Sequence, residues 1–242
     1  MKKLVLIFVV LTLVVAAAIL FYNRVERAPA GAELVPDSTL LFAAIPDFPL
    51  ARQEFQGTPL YALWREPEVQ AFLEKPLAAL QAANGKKDDS PDLTQLLDLL
   101  QGEVFLAVTG FTVSPKPNAT VVLGADLKLR KPQALLYLKL YEHQLAKYAP
   151  QAKVAKKKHL GTEYTIIEAG PGQTLTHAFF GSMWVATSDE ETMHDLIAHD
   201  TGNAGIDSPS LAASARYRNA LSRLAEPHAA RAFINVEELV RR

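Results

Sequence analysis

The chain has 242 residues, of which 49% are hydrophobic and 21% charged, with no cysteine and a formal net charge of -1. That composition excludes a disordered chain and is long enough for one or two packed domains. The missing cysteines exclude disulfides, thiolate metal sites, a cysteine nucleophile and a lipidated N-terminal cysteine. Residues 1–27 hold Lys2, Lys3, Arg24 and Arg27 against Glu26, which leaves the rest of the chain mildly acidic. A mildly acidic domain lacks the bulk charge to bind nucleic acid or anionic lipid.

Leu4 to Tyr22 is apolar apart from Thr12. As a helix this run spans roughly 28 Å, close to the hydrocarbon thickness of a bilayer. It has no polar stripe, which a buried core helix would keep. Residues 1–22 therefore predict one N-terminal transmembrane helix acting as a signal anchor, with cleavage and secretion as the alternative. Both Ala-x-Ala sites are badly placed for cleavage. Ala16-Ala17-Ala18 would leave Ile19 to Tyr22 on the mature end, and Ala28-Pro29-Ala30 lies beyond Arg24, Glu26 and Arg27. Lys2, Lys3 and the terminal amine oppose Arg24 and Arg27 across the span. The small positive-inside bias favours a cytoplasmic N-terminus and a C-terminal domain in the periplasm or outside.

Residues 23–38 read as a polar linker. Residues 39–242 then read as the extracytoplasmic domain, whole or the first part of a longer or duplicated one. Thr39 to Ile45 predicts a buried strand stopped by Pro46-Asp47. Asp47 caps a short helix near Pro49–Gln56 that Gly57 ends. Pro67 opens a helix with Val69, Phe72, Leu73, Leu77 and Leu80 on one face, broken near Pro76 and stopped by Asn84-Gly85. Ser90-Pro91 starts another, with Leu93, Leu96, Leu97 and Leu100, ending at Gly102.

Val104–Phe111 and Thr120–Ala125 predict two strands joined as a hairpin. Pro132 opens a long helix with Leu135, Leu138, Tyr141, Leu145 and Tyr148 on one face. Lys153–His159, Glu163–Glu168, Thr174–Phe180 and Met183–Thr187, separated by Gly161, Gly170-Pro171-Gly172 and Gly181-Ser182, predict an antiparallel meander. Ser188 to Glu191 reads as a capping box with Ser188 as the cap, and its helix runs to about His199. Leu211–Leu224 is helical, in two pieces, and Arg231–Val236 is a last strand. Ala230–Asn235 followed by Val236-Glu237 echoes Leu40–Ile45 followed by Pro46-Asp47, which hints at an internal duplication. The fold class expected is α+β: an antiparallel sheet with helices packed on one face, preceded by the membrane helix.

Several short stretches resemble, in order, a bacterial family known only as a domain of unknown function, three-three-five-two. They are Val35 to Thr39, Ile45-Pro46-Asp47, Thr58-Pro59-Leu60 with Leu63 and Pro67-Glu68-Val69, Trp184 to Glu191, and Ser210-Leu211 with Tyr217 and Leu221. The resemblance covers most of residues 35–238. It implies an envelope location, no known activity and no catalytic residues to carry over. Its members are usually longer, so it also implies a short version or a fragment.

No motif points to catalysis, a metal or a cofactor. His194 and His199 are five apart, about 140° around a helix, where a metal pair needs three or four residues. Glu191 and His194 have the spacing of a carboxylate-bridged metal site, but only one copy is present. No Gly-x-Ser-x-Gly or His-Glu-x-x-His occurs. Lys156, Lys157 and Lys158, with Lys153, form a basic run that reads either as a contact for anionic headgroups or as a lysine-protected edge strand; the edge strand is the stronger reading. Trp64 precedes Pro67 in a loop-like stretch and is the candidate surface aromatic, whereas Trp184 lies in a strand. The expected function is a non-enzymatic binding or assembly module of the cell envelope. Its partners are the membrane, through the first helix, and another envelope protein, with no nucleic acid. The alternative is an envelope hydrolase with a site near residues 177–194, where His177, Asp189, Glu191 and His194 are the first suspects.

Overall fold

The computed structural model describes residues 28–69, 72, 93–112, 118–149, 151–170, 173–205, 208–224 and 229–241. The expected anchor, the hairpin loop and most of the helix expected after Pro67 lie outside the described residues. Among the described residues no helix is long and apolar enough to cross a membrane.

Eight strands form one sheet: β1 (Leu41–Ile45), β2 (Val104–Thr112), β3 (Asn118–Asp126), β4 (Lys153–His159), β5 (Thr162–Gly170), β6 (Gln173–Phe180), β7 (Met183–Thr187) and β8 (Arg231–Ile234). Their order is β4-β5-β6-β7-β3-β2-β1-β8, and every neighbouring pair is antiparallel. The α+β class with an antiparallel sheet is therefore as the sequence predicts. Gly161 and Gly181 take positive φ in the β4–β5 and β6–β7 turns of the meander, a region closed to most side chains. The echoing segments pair with each other: Leu41 lies opposite Ile234 and Phe42 opposite Phe233. Each ends in a side-chain cap, with Leu50 N–H donating to Asp47 Oδ1 (3.0 Å) and Glu238 N–H to Asn235 Oδ1 (3.3 Å).

The helices are α1 (Gly31–Leu34), α2 (Phe48–Gln56), α3 (Pro59–Trp64), α4 (Leu93–Leu97), α5 (Lys131–Tyr148), α6 (Glu190–Asp200), α7 (Ala215–Leu221) and α8 (Val236–Arg241). Because side chains alternate along a strand, the register assigns each residue to a face. One face, the closed face, presents Phe42, Phe105, Val122, Ala178, Phe180 and Val185, all buried. Met193, Leu196 and Ile197 of α6, together with Leu34, Leu211 and Tyr217, complete this core. The Phe105 ring fills the space beside Gly31 and Gly124, where a Cβ on either glycine would collide with it.

The opposite face is partly open. Ala134 and Tyr137 of α5 join a second cluster with Ala125, Phe179, Trp184 and Leu99. Farther along the same face, Leu106 and Leu123 are exposed. Helices thus pack on both faces, which corrects the one-sided packing expected. The buried stripe of α5 is also corrected. Its buried and half-buried positions include Ala134, Tyr137, Leu138 and Leu145, while Leu135 and Tyr141 are exposed. The helix begins at Lys131, directly after a 3-10 turn at Lys128–Arg130.

Two further expectations are corrected. The linker reading of residues 23–38 fails at its end, because Gly31–Leu34 is helical and Leu34 and Val35 are wholly buried. Leu211 N–H donates to Val35 O (2.8 Å), so a distant segment holds this stretch in the core. The cap of α6 is Asp189 and not Ser188. Asp189 Oδ2 accepts from Thr192 N–H and Thr192 Oγ1, both at 2.7 Å, and Glu191 is exposed. A carboxylate at the positive end of a helix is favoured by the dipole as well as by the hydrogen bond.

Candidate functional site

The lysine run occupies β4, at one margin of the sheet. The strand is exposed along its whole length apart from half-buried His159. Its pleat divides the run. Lys157 lies opposite Tyr164, which lies opposite Ala178 of the closed face, so Lys156 and Lys158 project on the other side. A charged margin discourages a second sheet from adding to this one.

On the closed side Lys157 enters a polar cluster at the junction of β4, β5 and α6. Its Nζ lies 2.9 and 3.2 Å from the two carboxylate oxygens of Glu190. Tyr164 Oη donates to Glu190 Oε1 (2.7 Å) and lies 2.8 Å from His194 Nε2. A neutral tyrosine has one proton, which goes to the carboxylate, so His194 Nε2 must be the donor in the second contact. Burial, then the hydrogen bond to Glu190 and its charge, push Tyr164 up to about 12 and keep the hydroxyl protonated. Hydrogen bonds from Lys157 and Tyr164 hold Glu190 below the usual carboxylate range. The His159 ring stacks on His194 with centroids 4.1 Å apart. The cluster ties the end of the meander to α6, and its hydroxyl, carboxylate and imidazole can relay a proton along hydrogen bonds already made.

The suspected residues do not converge. His177 lies on the face of the sheet opposite Tyr164, since Ala178 shares the Tyr164 face. It is buried beside Trp184, neither ring nitrogen has a hydrogen-bond partner, and Trp184 Nε1 has none either. Burial, with a lesser contribution from nearby Lys156, pushes the His177 imidazole down to about 4. Asp189 is committed to its cap and Glu191 is exposed, which leaves His194 as the member in the cluster. Among the described residues no group of three or more His, Asp or Glu is arranged to hold a metal ion. Trp64 ends the helix α3 and is half exposed, so the loop-like reading of this stretch is corrected.

Tyr164, Glu190 and His159 were not singled out from the sequence. One signal was available: a two-residue turn at Leu160-Gly161 sets Lys157 opposite Tyr164, because hairpin register follows from turn length. The i, i+4 pair Glu190–His194 was available too, once the start of the helix is placed at Glu190. Open clefts among the described residues include two at the margins of the fold. The first, of about 480 Å³, includes Glu33, His199, Asp200 and Ser210; the second, of about 310 Å³, lies between α2 and α4. Comparisons with protein-family models, with curated proteins and with solved structures find no match to this chain.

Proposed function

We propose that the protein is a single-pass, membrane-anchored envelope protein whose α+β domain stands outside the cytoplasm as a non-enzymatic binding or assembly module. The observation that carries this reading is the uncharged run Leu4–Tyr22, long enough to span a bilayer, directly ahead of the folded domain. The resemblance to domain-of-unknown-function family three-three-five-two supports an envelope location. Its physical basis is simple: apolar side chains stay in hydrocarbon, and the flanking lysines stay on the cytoplasmic side. The test is membrane extraction together with a topology reporter. The chain remains with membranes through an alkaline wash and is released by detergent, and alkaline phosphatase fused after Arg242 is active. A soluble chain with a new N-terminus at Ile19 or Gly31 overturns the anchor; a reporter active only inside the cell overturns the topology.

The alternative, an envelope hydrolase with its site near residues 177–194, draws support from one arrangement, the Tyr164–Glu190–His194 hydrogen bonds. Hydrolysis of ester, peptide or glycoside probes that disappears in His194→Ala, with the fold intact, would favour it over the binding module.

A further inference from the structure

We infer that the α2–α3 segment lies against the lipid surface beside the anchor, with Leu60, Leu63 and Trp64 entering the headgroup region. This rests on the anchor reading and adds the face that the domain turns to the bilayer.

The incoming chain and α2 are fixed to two adjacent residues, Glu103 and Gly102. Gly31 N–H donates to the Glu103 carboxylate (2.8 Å), and Phe48 N–H donates to Gly102 O (3.0 Å). The chain arriving from the anchor therefore meets the sheet at the end where β1 finishes and β2 begins, and α2 starts from that same end. Residues 23–27 separate the apolar run from the first described residue. Five residues reach at most about 17 Å, so this end of the sheet is held close to the membrane.

Helices α2 and α3 contain no buried residue. The sequence of α3 is Pro-Leu-Tyr-Ala-Leu-Trp, with Leu60 62%, Leu63 57% and Trp64 49% exposed; Leu50 and Phe55 of α2 are exposed as well. Tryptophan and leucine on a short apolar segment suit the interface between headgroups and acyl chains. The 3-10 turn after β3 adds exposed Leu129 between Lys128 and Arg130 at this end, where Gln101 N–H donates to Asp126 O. Attachment is by apolar insertion and does not draw on charge, since residues 47–68 carry Asp47, Glu54, Glu66 and Glu68 against Arg52 and Arg65. The other end of the sheet supplies the contrast. There α8 starts where Asn235 N–H meets Leu40 O. Its exposed Val236, Leu239 and Val240 are apolar as well, but they stand at the end of the sheet away from the incoming chain.

The chain has no cysteine, so single labels can be introduced cleanly. Leu60→Cys and Val240→Cys, both at exposed positions, are labelled with an environment-sensitive fluorophore in the full chain. Each is reconstituted into phosphatidylethanolamine–phosphatidylglycerol vesicles carrying shallow brominated lipid. The expected result is roughly twofold quenching of the label at position 60 by the lipid and none at 240. A label at 60 that aqueous iodide quenches and lipid does not would overturn the inference. So would shielding from both quenchers, which would mean that residues 70–92 cover the segment, or shielding lost on dilution in lipid, which would mean a second copy does. An alkaline wash of the same vesicles reports the anchor separately. An anchored chain whose label sits in water sinks the docking alone. A chain that washes off sinks the anchor, and lipid quenching on remixing with vesicles then decides the docking by itself.

Discussion

The two faces of this sheet are built from the same strands and reach different ends. On β2 and β3, Phe105, Ala107 and Val122 point to the closed face and are buried, while Leu106 and Leu123, one residue along, are exposed on the other. Val-Phe-Leu-Ala-Val carries no polar alternation, so it reads as a strand apolar on both sides. Which side is closed depends on where α6, α1 and α7 come to lie. Apolar character alone thus does not say how much a side chain contributes; burial does, at about 25 cal/mol for each Å² removed from water.

That contrast can be broken most directly at Phe105. Phe105→Ala empties a site packed between Gly31 and Gly124 and should cost about 3–5 kcal/mol in denaturant unfolding of the full chain. A loss below about 1 kcal/mol would mean that the closed face is not the main core.

Acid tests the covered part of the other face. His177 titrates near 4 when folded, against 6.5 when free. The folded state resists the proton, so the stability it contributes is complete above pH 6.5 and drains away as pH falls toward 4. Linkage puts the loss at about 3 kcal/mol over that window. His177→Phe should flatten this part of the stability–pH curve, and an unchanged curve would place the acid sensitivity elsewhere.

Smaller effects sharpen the comparison. Asp189→Ala removes the cap of the helix that closes the core and should cost about 1 kcal/mol, with Asp189→Asn recovering most of it. Leu123→Ala, on the open face, should cost less than about 1 kcal/mol. A Leu123→Ala effect as large as that of Phe105→Ala would show that this face is covered in solution.

Local chemistry was legible wherever it depends on near neighbours. The strands of the meander, the hairpin, the Asp47 cap and the division of Leu211–Leu224 all follow from apolar runs, glycines and capping residues a few positions apart. The candidate site was less legible, because its parts come from three elements. Lys157 was read as one of a uniform run, yet the pleat and Glu190 give it a different role from Lys156 and Lys158. His177 and His194 looked like partners because both lie near the junction of the last strands and a helix, but strand alternation sends His177 to the opposite face.

By itself the sequence determined the types of most described elements, with the helices Gly31–Leu34 and Pro59–Trp64 as exceptions, together with the antiparallel pairing of close neighbours and an apolar N-terminal run of bilayer length. These depend on period, turn residues and length, which are properties of adjacent residues. Only the tertiary structure decided that β7 joins β3, that β1 and β8 pair, that Leu34 and Val35 belong to the core, and which face of the sheet is sealed. Each of these is a contact between residues tens to hundreds of positions apart, and such a contact is selected by the packing of the whole rather than by any local preference.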